Sequence, residues 1–461
     1  MITKKSKVNI GSDAISTYAS RYDLNDFTLT EFNQEGIPAP IVKQFIQDEL
    51  KLEGMPLLNL ASFVTTWMEP EADDLIMQCI NKNFIDHDEY PEVQKIQERC
   101  VHMLADLLHT PEKNNYVGTA TVGSSEAIML AGLAHKFNWR NKRKAAGLDA
   151  TKPNIIMGSN VQICWDKFAR YFDVEPRVIP IKPNQYIITA EQVKPLIDEN
   201  TICVATILGT TFTGEYDKIE EINALLLKVK QEKGFDIPIH VDAASGGFIS
   251  MFYDDGIKWD FRLEQVQSVN ISGHKYGLVY PGIGWLLFKD EAVVPEDLVF
   301  NVNYLGGNMP TYTLNFSRGS AMVVAQYYNF LRLGKSGYQK IVGNMMKVAD
   351  VIVAGLLKTD AFVLLGTRRM EPVVSVRLKE NLPYSVYEIS ENLRVHGWIV
   401  PAYNLPENAE KIETLRIVVK ENMSMTLAEE FLSAMRTVLD ALQDGKKAKL
   451  KVKRKGKFLP H

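Results

Sequence analysis

The chain has 461 residues, 46% of them hydrophobic and 23% charged, with a formal net charge of −4; it can bury a large core, and an ordinary soluble composition of this kind names no function by itself. The start Met-Ile-Thr-Lys-Lys-Ser-Lys lacks the apolar stretch of a secretory signal, and no apolar run approaches the roughly 18 residues that cross a bilayer, so a cytoplasmic protein without membrane insertion is expected. Cys79, Cys100, Cys164 and Cys203 show neither CxxC nor CxxH spacing, which argues against a zinc site or a disulfide framework and fits a reducing compartment.

In chain order, residues 1–57 are polar and contain Gly36-Ile37-Pro38-Ala39-Pro40 before a helical pattern at Ile41, Val42, Phe45, Ile46 and Leu50. They read as an N-terminal arm whose apolar face needs a partner, either the body of the protein or a second subunit. From residue 58 helices alternate with short apolar runs: Ile155 to Met157, Cys203 to Leu208, Ile237 to Val241, Val266 to Ile271 and Trp285 to Phe288. Runs apolar on both faces, separated by helical stretches such as 216–233, predict an α/β fold with a mostly parallel sheet covered by helices. Helices are expected over 320–333 and 336–357. Beyond them Val373 to Leu378, a helix over 384–396, Leu415 to Val419 and a helix over 426–442 resemble a small β-α-β-α unit. The expected division is an arm (1–57), a large domain (58–345), a small C-terminal α/β domain (346–444) and a tail (445–461).

That tail carries Lys446, Lys447, Lys449, Lys451, Lys453, Arg454, Lys455 and Lys457 with no acid, so the rest of the chain is more acidic than the net charge suggests. An acidic body with a basic end is poorly suited to wrapping nucleic acid, and a solvated, mobile end is the simpler reading of the tail.

Three stretches carry chemistry. Gly123-Ser124-Ser125-Glu126 precedes an apolar-periodic helix, and hydroxyls with free backbone N–H groups at a helix start form either an ordinary cap or a phosphate site. His240-Val241-Asp242-Ala243-Ala244-Ser245-Gly246-Gly247 ends one apolar strand, and Ser272-Gly273-His274-Lys275-Tyr276-Gly277 ends the next. The small, Gly-rich surroundings of Asp242 supply no further metal ligands, so no metal is expected there. A Lys amine able to form a Schiff base with an aldehyde, opposite an Asp able to keep a pyridine nitrogen protonated, is what pyridoxal 5'-phosphate (PLP) requires, and in that company the phosphate reading of Ser124 and Ser125 is preferred. In such sheets ligands bind beyond the carboxyl ends of the strands.

These stretches, with Leu58 to Phe63, Ile80 to Asp86, Asp88 to Pro91, Val161 to Trp165 and Asn315-Phe316-Ser317-Arg318, resemble the glutamate decarboxylases of the fold type I, group II PLP-dependent decarboxylase family, in order from about residue 12 to about residue 440. The resemblance implies a large domain built on a seven-stranded sheet, and PLP as the cofactor. It implies an aldehyde bond at Lys275, a pyridinium partner in Asp242, and Ala244 and Gln162 on opposite faces of the ring. Ser124, Ser125 and His274 are implied to hold the phosphate, with Ser317 of a neighbouring subunit, and Thr211 to contact the cofactor. Ser62, Phe63, Asn83 and Asp86 fall where the family reads the distal carboxylate of glutamate, and Arg416 where it binds the α-carboxylate.

The implied reaction is decarboxylation of L-glutamate to 4-aminobutanoate and CO2. It consumes a proton, which suggests acid resistance as a use. The implied assembly is a homo-oligomer, a dimer at least, with a hexamer through the arm as a larger option. Three features depart from the family: Ser62 stands where Thr is frequent, Asp166 where His or Glu is frequent, and the tail ends in His461 without the Trp and amphipathic pattern of a calmodulin target. The competing readings are a PLP-dependent decarboxylase of another amino acid or a related carbon–carbon lyase, and a catalytically silent scaffold whose tail binds an anionic partner.

Overall fold

The structure is a computed structural model that describes residues 30–32, 34, 36–111, 116–253, 256–303, 309–366 and 370–445. The basic tail with His461 and the first 29 positions of the arm lie outside the described residues. The chain divides into two units, one up to Met55 and one from Pro56 onward. In the first, α1 (Ala39–Leu50) begins with Pro in its first turn, where a missing N–H costs nothing. Its exposed Val42, Ile46 and Leu50 recur at helical spacing and form one apolar stripe.

The second unit contains α2 (Pro70–Cys79), α3 (Pro91–Leu107), β1 (Val117–Thr121), α4 (Ser124–Ala145), β2 (Asn154–Gly158), α5 (Ile163–Tyr171), β3 (Glu175–Ile179), α6 (Ala190–Val193), β4 (Thr201–Ile207), α7 (Ile219–Lys233), β5 (Ile239–Asp242), α8 (Gly246–Ser250), β6 (Val266–Ile271) and β7 (Gly284–Phe288). The seven strands form one sheet in the order β1-β7-β6-β5-β4-β2-β3. The pairs β2–β3, β2–β4, β4–β5 and β5–β6 are parallel, while β7 runs antiparallel to both β6 and β1. The expected mostly parallel sheet is therefore present, and each of the five apolar runs named between Ile155 and Phe288 contributes a strand to it. Strands β2, β4 and β7 are buried along their whole length, as strands covered on both faces must be.

Strands β1 and β3 escape the sequence reading because they form the sheet's two edges. Glu175-Pro176-Arg177 is too polar to read as a strand, and Pro, which cannot donate to a ladder, is tolerated only at an edge.

The chain continues through a two-stranded ribbon, β8 (Phe300–Val302) and β9 (Met309–Thr311), into α9 (Ala321–Leu357). This helix is interrupted at Gly334, whose φ of 56° lies in the left-handed region, so the two helices expected over 320–333 and 336–357 meet at a kink. Next come β10 (Phe362–Leu364), β11 (Val373–Leu378), α10 (Val386–Val395), β12 (Ala402–Asn404), β13 (Glu413–Val418) and α11 (Met425–Gln443). The last four strands form a second sheet, β10-β11-β13-β12, that is antiparallel throughout. The β-α-β-α pattern misses the short strands β10 and β12, and the β11–β13 pairing is antiparallel because β12 reverses the chain once more after α10.

Parallel β5 and β6 end side by side, which delivers Asp242 and the turn after Ile271 to the same edge of the sheet. That turn is held from behind. Gln326 Nε2 and the Tyr338 hydroxyl both donate to the Gly277 carbonyl at 3.0 Å, and Tyr338 stacks on Phe252 with ring centroids 4.7 Å apart. A Cβ at Gly273 would lie 2.3 Å from Gln326 Oε1 and 2.9 Å from Ile283 Cγ2, so only glycine lets this turn sit against α9. Gly273→Ala is expected to cost about 1–3 kcal/mol through overpacking, read as a lower urea midpoint; an unchanged midpoint would show that the approach is not limiting.

Candidate active site

A cavity of about 320 Å³ opens at the carboxyl ends of β4, β5 and β6. Its wall includes Ser124, Ser125, Gln162, Thr211, Asp242, Ala244, His274 and Lys275, so eight of the residues singled out from sequence converge on one space. Its size is that of a small-cofactor pocket.

At one end Asp242 is buried at 5% exposure. Trp165 Nε1 donates to its Oδ2 at 3.1 Å, while Asn270 Nδ2 at 2.9 Å and the Ala244 backbone N–H at 3.2 Å donate to Oδ1. Three fixed donors satisfy the buried carboxyl group and hold it in one orientation. At the other end α4 begins with Ser124 and Ser125, and the Ser124 and Ser272 hydroxyls lie 2.7 Å apart, joining the helix start to the turn that carries Lys275. Glu126 in the first turn accepts the Val122 N–H at 2.7 Å and the Leu314 N–H at 2.9 Å, which ties the segment before Ser317 to the same helix start.

Lys275 is enclosed. Burial pushes its ammonium down from the ordinary lysine value, opposed by the Asp242 and Glu371 carboxylates, so a neutral, nucleophilic amine is easier to form here than in water. Its carbonyl accepts from the Thr65 hydroxyl at 2.8 Å, and Thr65 N–H donates to the His274 carbonyl at 2.9 Å, so the segment at 62–65 is stitched onto the Lys275 turn. His274 is pushed down to about 4 by burial and by the neighbouring Lys275. Its buried Nδ1 has no hydrogen-bond partner among the described residues, a nitrogen left over for a ligand.

The remaining sequence-predicted residues fall in two groups outside the cavity wall. In the first, the Phe63 ring has two cations near it, the Lys275 amine at 5.3 Å from its centroid and the Arg416 guanidinium at 5.1 Å. Arg416 donates to the Thr211 carbonyl at 3.0 Å and the Ala61 carbonyl at 2.6 Å, while its buried Nε has no partner among the described residues. Ser62 Oγ accepts the Val64 N–H at 3.1 Å. The second group holds Asn83, Asp86 and Ser317: Asn83 Nδ2 donates to Ser317 Oγ at 3.4 Å, Asn83 Oδ1 accepts the Arg318 N–H at 3.2 Å, and the Asp86 N–H donates to the Asn83 carbonyl at 3.2 Å. Gln162 lines the cavity, but its Oε1 is engaged in capping α5 through the Cys164 N–H at 2.7 Å, which leaves its Nε2 as the group available to a ligand. Asp166 in the first turn of α5 is exposed.

Two features escaped the sequence reading. One is Glu371, fully buried, with neither carboxyl oxygen in a hydrogen bond among the described residues. It lies behind the cavity wall at Gly209 (φ 101°), where a Cβ would fall 1.7 Å from Glu371 Oε1. Its only sequence signal is a lone acid entering the apolar run Pro372-Val373-Val374. The other is the polar pair Ser268 and Asn270, which alternate with apolar residues along β6 and pair in register with His240 and Asp242.

A cavity with a Lys amine, a buried carboxylate and a hydroxyl-bearing helix start around it defines the class of PLP-dependent enzymes on an α/β sheet. Comparison narrows the class. The pyridoxal-dependent decarboxylase conserved domain matches residues 40–379. Glutamate decarboxylase 1 of Arabidopsis thaliana is 50% identical over 431 residues, 93% of this chain and 86% of that protein. The Petunia hybrida glutamate decarboxylase is likewise 50% identical, over 429 residues, with the same coverage of 93% and 86%. The solved structure of Lactobacillus brevis glutamate decarboxylase superposes with a TM-score of 0.87 at 40% identity, covering 92% of this chain and 96% of that one. The chain belongs to the pyridoxal-dependent decarboxylase family. The cavity fits the family's cofactor, PLP: the orphaned His274 Nδ1 and the Ser124–Ser125 helix start suit a phosphate, and Asp242 suits a pyridinium.

Burial pushes the Glu371 carboxyl up to about 8, opposed by the Lys275 amine. The fold therefore holds this proton more tightly than the unfolded chain does; the stabilisation is full below the ordinary value of 4.5 and is lost as pH rises toward 8. Glu371→Gln, which cannot ionise, should flatten the fall in melting temperature of the cofactor-free protein between pH 5 and 8. An identical fall in both proteins would show that Glu371 does not carry it.

Proposed function

We propose that this protein decarboxylates L-glutamate at Cα to 4-aminobutanoate and CO2, taking up one proton per turnover. The observation that carries the reading is the convergence of Lys275, Asp242 and the Ser124–Ser125 helix start on one cavity. Half of the aligned residues are shared with plant proteins named for this activity, across nearly the whole chain.

Bound PLP supplies a sink for the electron pair released when the Cα–carboxylate bond breaks. The protein's part is to hold, orient and exclude. Lys275 Nζ would be the amine that holds the cofactor aldehyde and, when free, would carry a proton inside the cavity. Asp242, held by Trp165, Asn270 and the Ala244 amide, keeps the proton on the pyridine nitrogen. Ser124, Ser125 and His274 fix the phosphate, Thr211 contributes a further contact, and Ala244 and Gln162 flank the ring. Arg416 is assigned to the α-carboxylate, a role supported by its unpartnered Nε, and the Phe63 ring packs against both Arg416 and Lys275. Which bond breaks is then a matter of orientation.

Ser62 and Phe63, with Asn83 and Asp86, are assigned to the distal carboxylate, and Ser317 to the phosphate of a neighbouring subunit. The separation of the Asn83–Asp86–Ser317 group from the cavity of its own chain supports an active site shared between two subunits. So does the exposure in the single chain of the large apolar residues Trp67, Met77, Ile80 and Leu331, which lie on or beside α2 and α9. A homodimer is the smallest assembly this requires, and a hexamer is a further option through the arm. The four cysteines are free and buried, which supports a reducing, cytoplasmic setting. No described helix is long and apolar enough to cross a membrane. Proton consumption fits a role in acid resistance.

Release of CO2 from a panel of amino acids tests the substrate. Glutamate should exceed aspartate and glutamine by at least about tenfold, the discrimination expected of a charged-group contact, and equal rates would assign the site to another amino acid. Lys275→Ala should abolish turnover and the visible absorbance of bound cofactor together; retained turnover would remove Lys275 from the mechanism.

A further inference from the structure

Asp242 is the end of a buried chain of hydrogen bonds that crosses the sheet. Asn270 Nδ2 donates to Asp242 Oδ1 at 2.9 Å, His240 Nε2 lies 2.6 Å from Asn270 Oδ1, His240 Nδ1 lies 2.7 Å from Ser268 Oγ, and His135 Nε2 lies 2.7 Å from the same hydroxyl. Every member is at or below 5% exposure. The register of β5 against β6 builds it: His240 is opposite Ser268 and Asp242 opposite Asn270, on one face of the sheet. His135 comes from α4, about three turns beyond the Ser124–Ser125 helix start, and lines a separate cleft bounded also by Trp139, Lys142, Asp236 and Gln265.

The direction of the hydrogens follows from chemistry alone. A carboxylate only accepts, so Asn270 turns its NH2 to Asp242 and its oxygen to His240. That oxygen only accepts, so His240 carries its hydrogen on Nε2. Burial pushes His240 down to about 4 and His135 down to about 3, so both are neutral at physiological pH. A neutral His240 then has a bare Nδ1, which must accept the Ser268 hydroxyl hydrogen, and Ser268 Oγ is left to accept from His135 Nε2–H. Every hydrogen points toward Asp242. Without His135 the Ser268 hydroxyl keeps its hydrogen bond to His240 but loses the donor that polarises it, and the outer end of the relay is left unsatisfied in the interior.

We propose that His135 is a positioning residue for the cofactor: it completes a one-way relay through Ser268, His240 and Asn270 that fixes the Asp242 carboxylate against the pyridine nitrogen. This rests on the PLP reading of the cavity. The coupling is also mechanical, because α4 would then bear on both ends of the cofactor, directly on the phosphate through Ser124 and Ser125 and indirectly on the pyridine through His135 and the relay to Asp242.

The test titrates cofactor-free wild type, His135→Phe, His135→Gln, Ser268→Ala and the Phe/Ala double variant with PLP, following protein fluorescence, and records the visible spectrum and melting temperature of each. His135→Phe should weaken PLP binding about tenfold, the scale of one lost hydrogen bond to a charged network. His135→Gln, which keeps an N–H donor, should recover most of it. The double variant should be no weaker than Ser268→Ala, because both act through one chain. His135→Phe with wild-type PLP affinity and only a lower melting temperature would overturn the proposal, as would full additivity in the double variant. Should His135→Phe not fold, Ser268→Ala and His135→Gln decide: normal affinity in Ser268→Ala, or loss of affinity in His135→Gln equal to that in Ser268→Ala, would equally overturn it. Wild-type protein that bound no PLP would instead overturn the PLP reading itself and this inference with it.

Discussion

The buried Asp242 carboxylate is the constraint on which the rest of the structure depends. An ionised group in a protein interior is costly unless fixed donors and a counter-charge meet it. Here the donors are built into the sheet: Trp165 from α5, Asn270 from the neighbouring strand and the amide of Ala244 from the turn that follows. The counter-charge in the cofactor-free chain comes in part from Lys275, and in the proposed holoenzyme from the cofactor ring. Parallel pairing of β5 with β6 is what places Asp242 and Lys275 at the same edge, and the antiparallel β7 behind the Lys275 turn, with α9 packed against it, keeps that turn from moving away.

The parts of the molecule differ in how openly they are written in the sequence. Strands β2, β4, β5, β6 and β7 are legible because a strand covered on both faces must be a short apolar run, and Asp242 and Lys275 are legible because each ends such a run in Gly-rich company. The edge strands are not legible: Val117-Gly118-Thr119-Ala120-Thr121 is too small and polar, and Glu175-Pro176-Arg177 too charged, to separate from loop. The antiparallel second sheet is hidden for a similar reason, since its outer strands β10 and β12 are three residues each. Glu371 carries no local signal beyond that of a lone acid before an apolar run, and His135 carries none. A polar residue on an apolar helix or before a strand acquires meaning only from partners far along the chain, such as Ser268 for His135 and Gly209 for Glu371.

Chemistry and proposed specificity are kept on separate parts of the chain. The cavity wall is assembled almost wholly from strand ends and helix starts of the large sheet, rigid elements suited to holding a reacting group within narrow tolerances. Phe63 and Arg416 come from a loop before α2 and from the antiparallel sheet, and Asn83, Asp86 and Ser317 from segments that do not line the cavity of their own chain. The two groups that do not line the cavity can therefore vary without disturbing Asp242 or Lys275.

The central claim is that Lys275, opposed by Asp242, is the residue that takes the cofactor. Borohydride reduction of the PLP-treated protein, followed by peptide mass analysis, tests it directly, because reduction makes the lysine–cofactor bond permanent. Wild type should carry a phosphopyridoxyl group on the peptide holding Lys275, and Asp242→Ala should lose that label or show it markedly weakened. A label on another lysine, or none at all in protein that has taken up PLP, would contradict it.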